Sequence, residues 1–318
     1  MIETVRGPIP PEDLGPTLMH EHIFVLDREI EANYPGRWDQ EERLTDAVAK
    51  LRAAAASGIR TIVDLTVLGL GRDVPLVQRV AAQVDLNIVV ATGLYAYDDV
   101  PMFFKFRGPG LLIDGPELLT EFFVQDLTKG IADTGVKAAI IKCATDKAGV
   151  TPGVDRILRA SARAHVETGA PITTHTDAGT RRGLDQLAIF REEGVDLSRV
   201  VIGHCGDTTD TDYLTELMDA GCTIGMDRFG MDILLPFDDR VDTVARLCAR
   251  GYAERMVLSH DASCFTHNFD PAVKQRVMPH WVYTHLQQDV VPALHAAGVS
   301  PAQIEQMLVH NPSRLLNR

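Results

Sequence analysis

His20, His22, Lys142, His175, His204 and Asp261 each stand at the C-terminal end of a short apolar run, and these runs are scattered over most of the 318 residues. Each run reads as a buried β-strand. Only a closed ring of parallel strands brings so many distant strand ends to one place. In (β/α)8 barrels that face carries the active site.

The rest of the chain alternates accordingly. Strands are expected over 17–26, 61–67, 87–93, 138–144, 171–176, 200–205, 223–227 and 256–261. Helices are expected over 41–56, 74–84, 117–132, 154–168, 184–193, 213–220 and 241–250, with two more over 285–297 and 301–309. Gly58, Gly169, Gly194 and Gly221 follow helices, as C-terminal caps do. Short Val/Ile-rich strands between helices imply a parallel sheet with both faces covered. The competing architecture is an open doubly wound sheet. Its first strand would lead into a glycine-rich phosphate loop, whereas here it carries His20-Glu21-His22. The fold class is therefore α/β, a (β/α)8 TIM barrel with its site at the C-terminal face, and residues 1–318 are expected to form one domain.

Hydrophobic residues make up 45% of the chain, enough for a large core, and the net charge is −13. Such acidity argues against a nucleic-acid or anionic-membrane partner and favours a neutral or cationic small molecule. No apolar run has transmembrane length, and the first ten residues carry no apolar signal core. Cys143, Cys205, Cys222, Cys248 and Cys264 are odd in number and form no C-x-x-C pair. They read as reduced thiols of a cytoplasmic protein. Strand alternation would point Cys143 and Cys205 outward, under the helices, if Lys142 and His204 point inward.

His20 and His22 share a face on a strand, whereas on a helix they would lie ~200° apart. Two inward imidazoles need a reason, because barrel interiors normally hold branched apolar side chains. They are either hydrogen-bonded core histidines or metal ligands. Lys142 ends the run A-A-I-I-K. A lysine there either turns to solvent or must find a partner or change form. As a CO2-derived carbamate it would become an anion able to bridge two cations. His175 and His204 repeat the pattern on consecutive strands, and imidazole suits Zn²⁺, Mn²⁺, Fe²⁺ or Co²⁺. Asp261 closes the ring beside strand 1, as a ligand and proton relay or as a turn residue. The set fits a two-metal hydrolytic centre. His260 should face outward and be structural. The other histidines read as surface or packing residues.

The order H-x-H, Lys, His, His, Asp at the ends of strands 1, 4, 5, 6 and 8 resembles the amidohydrolase superfamily. The strings T-L-M-H-E-H, T-V-L-G-L-G-R-D, V-I-G-H-C-G-D and M-D-R-F-G resemble the phosphotriesterase family, and within it the phosphotriesterase-like lactonases. The resemblance runs nearly end to end. It implies one metal on His20, His22 and Asp261 and another on His175 and His204, with carbamylated Lys142 and a hydroxide between them. Zinc is the expected metal, with Co, Mn or Fe as alternatives. It further implies hydrolysis of N-acyl-homoserine and other γ- or δ-lactones (quorum quenching), with weaker organophosphate triester hydrolysis, and a homodimer. The hydroxide would attack the carbonyl or phosphoryl centre while Asp261 carries the proton. Tyr95 falls where such lactonases place a tyrosine beside the substrate, and Arg228 matches their arginine after strand 7. The short loop 228–236 is lactonase-like. Ser263 and Asn268 depart from relatives that carry Cys and Trp there.

Two loops are long, 95–116 and 262–279, as lids and substrate walls tend to be. Tyr97, Phe265 and Trp281, together with Phe269, Met278, Leu234 and Leu235, are candidates to line a substrate channel. Alternatively they pack the loop or form a dimer contact. Four rival readings stand beside it: another metal-dependent hydrolase, a dedicated phosphotriesterase, a catalytically silent ligand-binding relative, and a protein whose metals serve folding only.

Overall fold

The structure is a computed structural model that describes residues 1–318, the side chain of Arg37 excepted. Its sheet is formed by β1 (Thr17–Val25), β2 (Thr61–Asp64), β3 (Asn87–Gly93), β4 (Ile140–Ala144), β5 (Ile172–His175), β6 (Val200–Ile202), β7 (Thr223–Met226), β8 (Met256–Leu258) and β9 (Ser263–Thr266). Neighbours pair in parallel and in sequence order from β8 down to β1, and β9 lies on the far side of β1. The extra strand falls inside the long loop expected over 262–279, which also contains the helix Pro271–Val277. The loop expected over 95–116 likewise holds a short helix, Met102–Lys105.

The ring closes where the chain passes from β8 to β9. Asp261 N–H donates to His20 O at 2.9 Å, and His22 N–H donates to Ala262 O at 2.8 Å. β8, residues 259–262 and β9 thus act as one stave broken by Asp261, whose φ is 57°. Glu21, buried on β1, clasps this seam. Its carboxylate accepts from Ser259 Oγ, His260 N–H and Nδ1–H, and Ala262 N–H, all at 2.7–3.0 Å. This makes the (β/α)8 barrel that the strand pattern predicts.

The core has two parts. Val63, Val89, Ala91, Ile140, Val201 and Val257 fill the barrel interior, with Ile2, Leu14, Leu315 and Leu316 in the same cluster. The larger part lies between the strands and the surrounding helices. Those helices start where a side chain caps them: Asp39 before Gln40–Ala56, Asp73 before Val74–Ala81, Thr151 before Pro152–Thr168 and Asp210 before Thr211–Asp219. The two expected C-terminal helices are widened into π-helical turns at Leu286–Val290 and Gln306–His310. Each precedes a proline, Pro292 or Pro312, whose missing N–H disturbs the regular ladder. No helix among the described residues is long and apolar enough to cross a membrane.

Candidate metal centre

Strand alternation explains part of the site, and local irregularity supplies the rest. Met19 packs in the barrel interior, yet His20 and His22 also reach the centre. Strict alternation cannot place both Met19 and His20 inward. A register shift of β1 against β2 between Leu18 and Glu21 allows it, as bulges beside active sites do. His204 lies two residues beyond the end of β6, and Asp261 three beyond the end of β8. Both are left-handed, with φ of 59° and 57°. The expectation that they end strands and point by alternation is therefore corrected: a turn aims each one. Cys205 begins that turn and is buried, while Cys143 packs outside the strands as expected. All five cysteines are buried and unpaired.

The six expected ligands are brought together. Asp261 Oδ1 lies 3.2 Å from His22 Nε2 and 3.5 Å from His20 Nε2, and Oδ2 lies 3.8 Å from His204 Nε2. Lys142 is buried, with Nζ 2.8 Å from His20 Nε2, so it does not turn to solvent. The His204 ring lies 4.7 Å from that of His20 and 4.5 Å from that of His175.

Carboxylates that the sequence reading left unassigned fix the imidazoles. Asp227, buried after β7, accepts from Nδ1–H of His20 at 2.8 Å and Nδ1–H of His204 at 2.9 Å. His22 Nδ1–H donates to Thr66 Oγ1 at 2.9 Å, and Thr66 in turn donates to Asp64 at 2.6 Å. A carboxylate can only accept, so these three rings carry the proton on Nδ1. Each therefore presents an unprotonated Nε2 to the centre. His175 is reversed: its Nε2 lies 3.4 Å from Asp146 Oδ2, and its Nδ1 faces Tyr95 Oη at 3.2 Å. Burial lowers the pKa of His20, His175 and His204, that of His175 to about 4, so the imidazoles are neutral donors near pH 7. Burial also lowers Lys142 to about 8. Burial alone would raise Asp261, but His204, His20, His22 and Arg228 override it and hold the carboxyl well below its ordinary value.

Donors around one tetrahedral cation at 2.0–2.2 Å stand about 3.4 Å apart. The spacings from Asp261 Oδ1 to His22 Nε2 and His20 Nε2, 3.2 and 3.5 Å, bracket that value. Convergent lone pairs of this kind, with no proton between them, fit divalent cations.

Arg228 ties the centre to its surroundings. Its Nε–H donates to Asp261 Oδ2 at 3.0 Å, and its Nη1 donates to Asp207 at 2.9 Å. The fully buried Arg240 holds the other Asp207 oxygen at 2.8 Å. Two glycines make room. A side chain at Gly225 would run into the Asp227 carboxylate, and one at Gly93 would meet the Lys142 carbonyl.

The pocket over this cluster measures about 200 Å3 and is lined by Tyr95, Tyr97, Arg228, Met231, Phe269 and Trp281 among others. Tyr95 and Tyr97 hydroxyls touch each other at its wall. Burial raises the Tyr95 pKa well above its ordinary value, so the phenol stays protonated. Phe265 is a correction: it does not line this pocket. It packs 5.0 Å from Trp38 and beneath the guanidinium of Arg43. Met278, Leu234 and Leu235 do not line it either. His260 is structural, bonded to Glu21 and accepting from Leu286 N–H at 2.9 Å.

Comparison with known proteins agrees with this geometry. The family model described as "Phosphotriesterase family" matches residues 1–316. A phosphotriesterase homology protein of Mycobacterium tuberculosis is 58% identical over 100% of this chain and 98% of its own length. An aryldialkylphosphatase of Saccharolobus solfataricus is 37% identical over 98% of each chain. The solved structure of the phosphotriesterase from Mycobacterium tuberculosis superposes with a TM-score of 0.98, covering 100% of this chain and 98% of that one. The barrel, its convergent histidines and these matches together make the chain a member of the phosphotriesterase family of metal-dependent hydrolases.

Proposed function

We propose that this protein is a lactonase that opens N-acyl-homoserine lactones and related γ- or δ-lactones, with organophosphate triester hydrolysis as a weaker activity. The observation that carries this reading is a protonated phenol, Tyr95, set against His175 in a pocket of only about 200 Å3. A small ring ester needs a proton donor beside its developing oxyanion and little room. An aryl dialkyl phosphate crowds three substituents around its reacting phosphorus, whereas the lactone carbonyl carries only its ring. The triester activity is suggested by the relative named aryldialkylphosphatase.

His20, His22 and Asp261 would hold one divalent cation, and His175 and His204 a second, with Lys142 between them as a carbamate. Zn²⁺ suits this donor set best. When bound, such cations polarise a carbonyl or phosphoryl oxygen and acidify water near neutral pH. The protein's own groups do the rest. Asp261, ionised and tethered by Arg228, accepts the proton released from the attacking water and returns it to the leaving alkoxide. Arg228 cannot relay a proton, so it orients Asp261 and keeps it ionised. With His175 Nδ1 engaged as a ligand, the Tyr95 hydroxyl is free to donate to the substrate oxygen. Tyr97 and Trp281 border the ring.

The reading includes a homodimer in a reducing, cytoplasmic setting. Met102, Phe103, Phe106 and Leu112, exposed after β3, offer an apolar contact face, and the unpaired cysteines suit that compartment. The test is to assay an N-acyl-homoserine lactone and paraoxon with one metal-loaded preparation. Lactone kcat/KM well above that for paraoxon supports the proposal. The reverse order makes the protein a dedicated phosphotriesterase, and turnover of neither makes it a silent relative or a hydrolase of another substrate.

A further inference from the structure

A second convergence of metal-ligating side chains lies outside the metal centre. One nitrogen of His280, one of His285 and one carboxylate oxygen of Asp289 lie within 4.8 Å of one another. The donors of one tetrahedral cation stand about 3.4 Å apart. His280 and Asp289 are exposed, so their side chains are free to turn and close that gap.

The chain builds this group locally. His285 and Asp289 stand four residues apart at the start of the first C-terminal helix, which puts them on one face. His280 precedes them at the end of the loop, its ring 5.3 Å from that of His285. Its carbonyl accepts from Val282 N–H at 2.9 Å and packs so closely on Gly230 that a side chain there would collide with it.

His285 is incompletely paired. Only 4% of its side chain is exposed, and its Nδ1–H donates to Asp289 at 2.8 Å. Its Nε2 is buried without a partner. A neutral imidazole carries one N–H and one lone pair, and here only one of the two is met. Buried polar atoms in that state are unusual and ask for a ligand. Burial lowers the His285 pKa against the opposing pull of Asp289, so the ring stays neutral near pH 7 and keeps its lone pair. Among the described residues, His285 is the only basic group within 4.0 Å of the Asp289 carboxylate. A neutral partner leaves that charge uncompensated.

We propose that His280, His285 and Asp289 bind one divalent transition-metal ion of the Zn²⁺ class, at a site separate from the metal centre. Two imidazoles and a carboxylate suit Zn²⁺, Ni²⁺ or Cu²⁺, and offer too few oxygens for Ca²⁺ or Mg²⁺. Water completes the coordination from the exposed side. The ion staples the end of the loop, where Trp281 reaches the metal pocket, to the helix that follows. Three donors, two of them exposed, hold it more weakly than the metal centre holds its own ions, so it leaves on desalting. None of these residues belongs to the metal centre, and the site stands whatever that centre hydrolyses.

Equilibrium dialysis of the metal-loaded protein against radiolabelled Zn²⁺ tests it. Wild type should bind one ion more per chain than the double variant His280→Ala with Asp289→Asn. Each single variant should weaken that ion about tenfold or more, since losing even an outer partner of a metal ligand costs about 10–100-fold. Both side chains are exposed, so the fold and the ions of the metal centre should be unaffected. Excess Zn²⁺ should also raise the urea midpoint of metal-loaded wild type but not of the double variant. Equal Zn²⁺ uptake by wild type and double variant would overturn the proposal. So would a wild-type surplus that neither single substitution weakens.

Discussion

Asp227 accepts from His20 Nδ1–H at 2.8 Å, and its other oxygen accepts from His204 at 2.9 Å. One buried carboxylate thereby sets the tautomer of two metal-facing imidazoles, one on β1 and one in the turn after β6, strands that are not neighbours in the sheet. An amide at this position accepts through one atom only. Asp227→Asn should therefore lower metal affinity about 10–100-fold, the usual cost of losing such a partner. Metal content after dialysis against a graded chelator measures it. Retention equal to wild type would show that the tautomers do not depend on Asp227.

Arg228 holds Asp261 without belonging to the expected ligand set. Arg228→Met should keep both metals yet lower kcat about tenfold or more, and raise the pH at which turnover rises, because Asp261 loses a cation that depresses its pKa. The kcat–pH profile, with metal content assayed in parallel, tests this. An unmoved profile removes Arg228 from the proton step.

Glu21 joins β1 to the end of β8 through four accepted hydrogen bonds. Glu21→Gln places an NH2 donor against a cluster of donors. The metal-free protein should lose about 2–4 kcal/mol of stability. A urea midpoint that falls at constant m-value would show it. An unchanged midpoint would mean that the backbone bonds alone close the barrel.

Acid should destabilise the metal-free protein in part through His175. His175 is held neutral to about pH 4 by burial, whereas in the unfolded chain it protonates near its ordinary value of 6.5. Between those values the unfolded chain binds more protons, so stability falls as pH drops from 6.5 toward 4. His175 alone contributes about 3 kcal/mol. Denaturant midpoints across that range check the sign, and His175→Asn should flatten the slope.

Much of this was legible in the sequence because it rests on apolar runs. Val/Ile-rich segments between capped helices mark the eight staves of the barrel but not β9, and the residue ending each run marks Lys142 and His175. His204 and Asp261 were found by residue type, while the left-handed turns that aim them leave no mark in a hydrophobicity pattern. Asp227, Asp207, Asp146 and Asp64 carry no such mark, because an acidic residue at or just past a strand end reads equally as a turn, and Glu21, within β1, reads only as the residue between two histidines. The M-D-R-F-G string held Asp227 beside Arg228 and was the one available signal. Phe265 was misplaced because period-two alternation predicts a direction only once a strand is recognised, and β9 lies within what reads as loop.

The most direct test of the account is metal stoichiometry read together with turnover and the state of Lys142. Protein loaded with Zn²⁺ and ¹³C-bicarbonate should hold two metals per chain and show a lysine carbamate carbon signal. Lactone hydrolysis should disappear on chelation and return on reloading. Lys142→Ala should lose metal, signal and activity, with partial rescue of activity by short carboxylates. Wild-type protein that turns over lactone fully with no bound metal, or Lys142→Ala that keeps both metals, would contradict it.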